Sequence, residues 1–216
     1  MSLTGLITEL SKGMLTSVEI FTLTLVFSLP LGLFVAFGRM SKNLIIRNIF
    51  RIYISIMRGT PLILQLMVVY FGPFYIFKIP LSYAYRFQAV IIGFVLNYAA
   101  YFAEIYRGGI ESISVGQYEA AKVLGYSKSQ TFVRIVFPQV IKRILPSVTN
   151  EVITLIKDTS LAFVISVMEM FTMAKAFASA QTSMVPYIVA GIFYYVFNFI
   201  VASTMEWFEK KLSYFQ

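Results

Sequence analysis

Residues 14–38 read MLTSVEIFTLTLVFSLPLGLFVAFG, an apolar stretch that contains a single charged residue, Glu19. A helix rises about 1.5 Å per residue, so this stretch is long enough to cross the ~30 Å hydrocarbon core of a bilayer. Pro30 lies inside it and can kink the helix, because neighbouring helices in a membrane bundle satisfy the backbone groups that proline frees. The stretch therefore predicts a first transmembrane helix, which ends where the basic residue Arg39 follows.

The composition of the whole chain supports the same environment. The chain has 216 residues, of which 58% are hydrophobic and 13% charged, and its mean hydropathy is +0.77. Soluble domains average about 45–50% apolar and ~25% charged residues, and a chain of this size lacks the interior volume to bury the excess. Cys and His are both absent, which excludes disulfides, thiolate metal sites and the usual general base. We therefore predict a protein that is embedded in a lipid bilayer. We also predict that it has no metal site.

Four further apolar runs follow the first. The predicted spans cover residues 53–77, 87–106, 144–163 and 187–208. In the second span only residues 62–77 are strongly apolar, so the preceding residues are expected to form an interfacial lead-in. Residues 164–180 include Glu169 and Lys175 and predict a tilted or partly inserted helix, and the role of the 164–185 segment stays open. We predict an all-α integral membrane protein with about five transmembrane helices, forming a single domain over residues 1–216.

Positive charge predicts the orientation of these spans. Thirteen of the eighteen Lys and Arg residues lie in segments 38–60, 107–143 and 210–211, which share one side of a five-span chain. Loops rich in Lys and Arg remain in the cytoplasm, so the N-terminus is predicted outside and the C-terminus cytoplasmic. The net charge of +8 is explained in this way, and we predict no nucleic-acid partner. Segment 38–60 is interpreted as an orientation signal, with a specific lipid site as the alternative.

The largest predicted cytoplasmic loop, residues 115–138, reads VGQYEAAKVLGYSKSQTFVRIVFP. It predicts a short helix from Val115 to Leu124, closed by Gly125 in a left-handed conformation, and a second amphipathic run that ends at Pro138. Ala120, Ala121 and Leu124 are expected to form a small, smooth face that another protein can approach closely. An ordinary helix on the membrane surface is the alternative interpretation.

The pattern of this loop resembles the cytoplasmic signature of ABC importer permeases. It consists of Glu-Ala-Ala, three residues, Gly, nine residues and Ile-x-Phe-Pro, and the family usually has Leu where this chain has Phe137. Three other stretches resemble the polar amino acid branch of that family, and they read RGTPL at 58–62, AYFAEIYRGG at 100–109 and KDTSL at 157–161. The resemblance covers roughly residues 15–210.

The resemblance implies a type I ABC importer permease fold and a bacterial inner or plasma membrane location. It also implies that the loop is a coupling helix that docks into a groove on a cytoplasmic ATPase. The residues that would carry this docking are Glu119, Ala120, Ala121 and Gly125. The implied partners are two ATP-binding subunits, a second permease subunit and an extracytoplasmic amino acid-binding protein. The permease pair is expected to be a homodimer, with a heterodimer of related permeases as the alternative. The chain has no G-x-x-x-x-G-K-[ST] motif, so we predict that it is not an enzyme, binds no cofactor itself, and leaves ATP and Mg to its partner.

Polar residues inside the third span predict a binding site. A charged side chain deep in a bilayer costs about 2.5–3.5 kcal/mol, so Glu104 should face a cavity or a partner. Asn97, Tyr101, Glu104 and Gly108 recur at helical spacing and form one stripe, which suits a small polar ligand. The alternatives are a hydrogen-bonded seam between helices and a Glu104–Arg107 ion pair.

Lys157 and Asp158 form a second candidate cluster. Glu151 shares a helix face with Asp158, whereas Lys157 points about 100° away. Asp158-Thr159-Ser160 also has the composition of a helix start, and a broken helix at mid-depth is how transporters expose backbone groups to a substrate. Mutual neutralisation of Lys157 and Asp158, or a helix-end cap, is the alternative.

Together these features predict the permease subunit of an ATP-driven importer of polar or cationic amino acids. Arginine, lysine or histidine would fit a cavity that faces both Glu104 and Asp158. The alternative is a passive channel or another non-ABC membrane transporter. An intramembrane aspartyl protease would need two Asp residues, and the sequence contains only Asp158.

Overall fold

A computed structural model describes residues 2–212, and the regular elements within that range are all helical. They are α1 (Leu3–Arg39), α2 (Leu44–Gly59), α3 (Leu62–Phe77), α4 (Tyr85–Glu111), α5 (Val115–Val123), α6 (Lys128–Thr131), a π-helical turn (Phe132–Val136), α7 (Phe137–Asp158), a 3-10 helix (Thr159–Ile165), α8 (Met170–Gln181) and α9 (Val185–Leu212).

The number of membrane spans agrees with the sequence. Three helices in the described range, α1, α4 and α9, are long and apolar enough to cross a bilayer as they stand. Two bent pairs pass the same test together: α2 with α3, which meet at 111°, and the α6–α7 region with α8, which meet at 58°. Counting each pair as one span gives five, and the all-helical membrane fold is confirmed.

Helices α1 and α4 form the central packing contact of the bundle. The buried face of α1 carries small residues, Ser17, Thr24, Ser28 and Gly32. A Cβ atom at Gly32 would lie 2.8 Å from the Cβ of Phe102 and 3.1 Å from the carbonyl oxygen of Ala99, both on α4. Only glycine permits this approach, and close contact between small residues is the usual basis of helix association in lipid.

Helix α1 begins at Leu3, eleven residues before the predicted start of the first span, so the helix extends beyond the predicted span. Leu6 and Leu10 in this extension are buried in a cluster with Met170 of α8. Lys12 pairs with Glu9 one turn earlier at 2.7 Å, at positions that solvent reaches. The sequence of spans alone does not reveal that α8 covers this extension.

The second span is bent and not continuous, and the residues predicted as a lead-in belong to a separate helix, α2. The interfacial position of this lead-in stays a prediction. Thr60, which precedes Pro61, has an extended backbone (φ −123°, ψ 147°), as the residue before a proline prefers. The Gln65 side chain spans the bend by donating to the carbonyl oxygens of Met57 at 2.9 Å and Thr60 at 3.1 Å. The bend therefore has a fixed geometry.

The fourth span is broken near its end, as the Asp158-Thr159-Ser160 pattern predicted. Helix α7 ends at Asp158, the 3-10 helix follows, and Ser166 closes it in a left-handed conformation (φ 58°). Helix α8 then starts after Glu169, which occupies its N-cap. The segment beyond residue 164 is thus a separate helix of twelve residues at 58° to the preceding one.

Candidate functional site

The first candidate site is the coupling segment, residues 115–138. Helix α5 covers Val115–Val123, one residue shorter than predicted. Its apolar end is open to solvent, with Val123 87% and Leu124 72% exposed, and Glu119 and Ala120 are exposed as well. This apolar end is therefore available for contact with another protein or with lipid.

Gly125 closes α5 as predicted, with φ +77°. The amide of Tyr126 donates to the carbonyl oxygen of Ala121 at 3.0 Å, and the amide of Gly125 donates to that of Lys122 at 3.1 Å. These two bonds form a Schellman motif, in which glycine is preferred because a Cβ atom disfavours the left-handed conformation. The loop after α5 is therefore held in one direction.

The predicted exposed face that joins Ala121 to Ala120 and Leu124 is wrong in one residue. Ala121 is only 1% exposed, so it faces the rest of the chain. Helix α6 starts directly after the turn at a complete capping box, in which Ser127 and Gln130 each accept a hydrogen bond from the other's backbone amide. The buried side chain of Ala121 thus holds α5 against the rest of the chain.

The coupling segment is connected to the bundle at its far end. The ring of Phe132 lies 6.4 Å from that of Phe37 in the last turns of α1. Val136 and Val140 pack in a buried cluster with Ile113, between α4 and α5. Helices α1, α4 and α5 therefore meet on the same side of the molecule.

The second candidate site contains the predicted stripe of α4. The Asn97 side chain is buried and donates to the carbonyl oxygen of Met57 at 3.1 Å and to the Gln65 side chain at 3.0 Å. The guanidinium of Arg58 lies over the Tyr101 ring, 5.2 Å from its centroid. The stripe thus faces the C-terminal end of α2 and the bend after it.

Glu104 accepts charge-assisted hydrogen bonds from Arg107, the shortest being 2.6 Å. Arg58 and Arg39 also lie near its carboxylate, at 3.9 Å and 4.0 Å. The Glu104 side chain is 18% exposed, whereas that of Arg58 is 44% exposed. The predicted Glu104–Arg107 pair is present, and the guanidinium of Arg58 is more accessible to solvent than the carboxylate of Glu104.

Asp158 accepts a hydrogen bond of 2.7 Å from the hydroxyl of Tyr98, whose ring centroid lies 6.3 Å from that of Tyr101. Lys157 is exposed, and no ion pair within 4.0 Å joins it to Asp158 in the described chain. These two residues therefore form no direct ion pair, and their mutual neutralisation through space stays an alternative.

A chain of contacts links the predicted residues of α4 and α7, and we call it the polar seam. It consists of Asp158, Tyr98, Tyr101, Arg58 and Glu104. Tyr98 and Arg58 were not among the predicted binding residues. The signal for Arg58 was available, because it lies in the quoted RGTPL stretch. Tyr98 is aromatic within an aromatic-rich span, so nothing in the sequence distinguishes it.

Sequence reasoning also missed the role of Glu169. This carboxylate is fully buried and accepts from the amides of Phe171 and Thr172, both at 2.7 Å, and from the hydroxyl of Tyr194 at 3.0 Å. Ser17 of α1 lies 3.4 Å away. Glu169 therefore ties α1, α8 and α9 together. An acid immediately before an apolar helix is the capping signal that could have identified it.

Known proteins provide matches over most of the chain. Residues 28–214 match the sequence model of a family described as "Binding-protein-dependent transport system inner membrane component". A nopaline transport system permease protein of Agrobacterium fabrum is 41% identical over 201 residues, covering 86% of this chain and 83% of that protein. An L-cystine transport system permease protein of Bacillus subtilis is 40% identical over 201 residues, covering 89% and 82%.

Solved structures have the same fold. A crystal structure of an amino acid ABC transporter with histidines matches with a TM-score of 0.87 and 28% identity, covering 98% of this chain and 99% of that one. An inward-facing methionine ABC transporter, MetNI, matches with a TM-score of 0.78 and 14% identity, which concerns the fold alone.

Proposed function

We propose that this chain, which belongs to the family of binding-protein-dependent transport system inner membrane components, imports polar amino acids as the permease subunit of an ABC transporter. The observation that carries the proposal is the exposed, apolar end of α5 on a turn of fixed direction. Gly125 fixes the direction in which the chain leaves α5, although glycine closes many ordinary helices in the same way. A fixed direction suits a docking element, because the contact must transmit movement.

The partner at α5 is a cytoplasmic ATPase subunit. Glu119, Ala120 and Gly125 lie on the exposed part of residues 115–138 and would enter its groove, while Ala121 holds α5 in place from inside. ATP and Mg would bind to the ATPase, and this chain would hydrolyse nothing itself. In this arrangement α5 faces the cytoplasm, so the N-terminus lies outside and the C-terminus inside a bacterial inner or plasma membrane.

Two permease subunits would enclose the pathway, as a homodimer with two ATPases and an external amino acid-binding protein. A bundle of five spans is small for a gated cavity. The outer face of α9 is apolar and open along much of its length, which fits contact with lipid or with a second copy. The residues that form this face are Ile188, Ile192, Tyr195, Phe199 and Ile200.

The polar seam is the proposed substrate path, together with Asn97 and Lys157. The exposed guanidinium of Arg58 suits the carboxylate that every amino acid carries. Asp158, and Glu104 when Arg107 releases it, would attract an ammonium or guanidinium group, which favours arginine, lysine or histidine over neutral substrates. Nopaline and cystine, the substrates in the names of the two relatives, leave the side-chain preference open.

Co-purification with the ATPase tests the docking proposal. Glu119→Lys reverses a charge on the exposed face of α5, and we expect it to release the ATPase from the permease. Glu206→Lys on α9 is the matched control, because Glu206 is also exposed and lies far along the chain from the coupling segment. Equal ATPase recovery with both variants would contradict the proposed role of α5.

Uptake of radiolabelled amino acids by the reconstituted complex tests the substrate. We expect ATP-dependent uptake with arginine as the strongest competitor, and slower arginine uptake with Asp158→Asn. Undiminished arginine uptake by Glu104→Gln would remove Glu104 from the substrate path. If no amino acid is taken up or stimulates ATP hydrolysis, the importer proposal fails.

A further inference from the structure

Helix α2 (Leu44–Gly59) has three distinct faces. One face packs on the bundle: Ile54 is buried with Val35 and Ala103, and the Tyr53 hydroxyl donates to the carbonyl oxygen of Leu96 at 2.5 Å. The Phe50 ring meets that of Phe34 edge-on at 5.6 Å. These contacts fix the rotation of α2 and leave its other two faces turned away from the protein.

The second face is apolar and uncovered. Four isoleucines repeat at helical spacing and are between 52% and 72% exposed. They are Ile45, Ile49, Ile52 and Ile56. A contiguous apolar stripe of this kind needs a cover of apolar material.

The third face is basic. At 100° per residue, Arg47 and Arg51 lie about 150° around the helix from the middle of the isoleucine stripe. Neither guanidinium has a hydrogen bond, or a carboxylate within 4.0 Å, in residues 2–212. No Asp or Glu occurs anywhere between Glu19 and Glu104, so the chain supplies no nearby acid in sequence. An anion that pairs with this face would therefore come from outside the described chain.

The position of α2 in the bundle fits the membrane surface. Its axis is bent 111° from that of α3, so it runs across the bundle while α3 runs along it. Its last turn contacts Glu104, two turns before the end of α4, and its first turns follow Arg39 at the end of α1. Those helix ends lie on the same side as α5, where a polar boundary is expected.

From these observations we propose that α2 is an interfacial helix that binds anionic phospholipid. The isoleucine stripe lies among the acyl chains, and Arg47 and Arg51, with Lys42 just before the helix, bind the headgroup phosphates. An apolar face opposite a basic one is the arrangement by which helices lie in the plane of a bilayer with anionic lipid. Because the last turn of α2 carries Arg58, lipid bound here holds the helix that brings Arg58 into the polar seam.

Lipid retention tests the headgroup site. The complete transporter is purified from vesicles of phosphatidylcholine and phosphatidylglycerol, and its bound lipid is measured by native mass spectrometry. The double variant R47Q/R51Q should bind phosphatidylglycerol about fivefold more weakly for each arginine, roughly thirtyfold in all, with phosphatidylcholine unchanged. R47K/R51K should restore most of the binding, because it restores the charge.

K12Q/K78Q is the control, since it also removes two positive charges but leaves α2 intact; in the described chain Lys12 pairs only with Glu9, at a position that solvent reaches. It should retain phosphatidylglycerol like the unaltered chain. Equal loss in this control would mean that net charge alone sets lipid content, and it would overturn the site on α2. Unchanged retention in R47Q/R51Q would overturn it as well.

Spin labels test the orientation of α2 directly, because the chain has no Cys and single cysteines can be introduced cleanly. In the complex in vesicles, a label at I49C should be accessible to oxygen, which concentrates in the bilayer, and shielded from a water-soluble nickel chelate. A label at S55C, on the polar side, should give the reverse. If the I49C label is shielded from both reagents, or if R47Q/R51Q dissociates permease dimers without losing lipid, a second copy covers the stripe and the proposal is wrong.

Discussion

Replacing Gly125 by Ala isolates the contribution of one turn to the coupling segment. A Cβ atom placed at Gly125 meets nothing within 4 Å, so the substitution causes no steric clash inside the chain. Its cost comes from the left-handed backbone, φ +77°, which is unfavourable by about 1–2 kcal/mol for a residue with a Cβ atom. We therefore expect the two Schellman hydrogen bonds to open about 5–30 times more often than in the unaltered chain.

Amide hydrogen exchange of the complex, with and without the ATPase, measures this effect. In Gly125→Ala, hydrogen exchange of the backbone amides at positions 125 and 126 should accelerate by roughly tenfold, and the ATPase should dissociate faster. Gly125→Asn should have a smaller effect, because Asn tolerates the left-handed conformation better than Ala does. Gly116→Ala is the control: Gly116 lies within α5, also has open space around it, and should only stabilise the helix.

Two outcomes would refute the reasoning. If Gly125→Ala and Gly125→Asn weaken ATPase binding equally, the backbone conformation is not the cause. If exchange at the turn is unchanged while ATPase binding is lost, the added methyl group obstructs the partner, and the glycine serves close approach and not the turn.

Three further predictions concern the bundle. Gly32→Ala should lower the stability of the purified protein, measured by thermal unfolding, by about 1–3 kcal/mol through overpacking of α1 on α4. Gly72 has open space around it, so Gly72→Ala should leave the melting temperature unchanged. Equal melting temperatures of the two variants would contradict the close contact at Gly32. Tyr98→Phe removes a hydroxyl donor from Asp158, so stability should fall by about 1–3 kcal/mol in the same assay; no change would mean that the bond carries little. Glu169→Ala leaves two buried amides without acceptors, so it should abolish monodisperse protein on size-exclusion chromatography. Glu169→Gln should cause a smaller loss of monodisperse protein. Normal elution of both variants would contradict the proposed role of Glu169 in holding α1, α8 and α9 together.

The fold was largely accessible from the sequence because its signals are local. Runs of apolar residues locate the spans, Pro61 locates the bend and Gly125 locates the turn, each through the chemistry of a few neighbouring residues. The errors arose where a distant partner decides the outcome. The packing of Leu6 and Leu10 on α8 was not foreseen, and Ala121 is buried because the chain after α5 folds back beside it.

The candidate site was accessible only in part for the same reason. Helical spacing placed Asn97 and Glu104 on one stripe, but it could not reveal that the end of α2 lies against that stripe. Tyr98 contacts Asp158 across 60 residues of chain, and Glu169 reaches Ser17 across 152. Periodicity within one helix contains no information on pairs of this kind.

Helix α1 is held by close glycine contacts at two positions, one on α8 and one on α4. A Cβ atom at Gly13 would lie 3.0 Å from the backbone of Met170 on α8, as one at Gly32 would collide with α4. These two contacts are nineteen residues apart, about 28 Å along the helix axis. Pro30, which removes a backbone hydrogen bond from α1, lies two residues from the Gly32 contact, so α4 supports the helix where it bends most easily. A force applied at one end of α1 should therefore be transmitted to the other end with little bending of the helix. Bending of the chain is expected instead at Ser166, the left-handed residue between the 3-10 helix and α8.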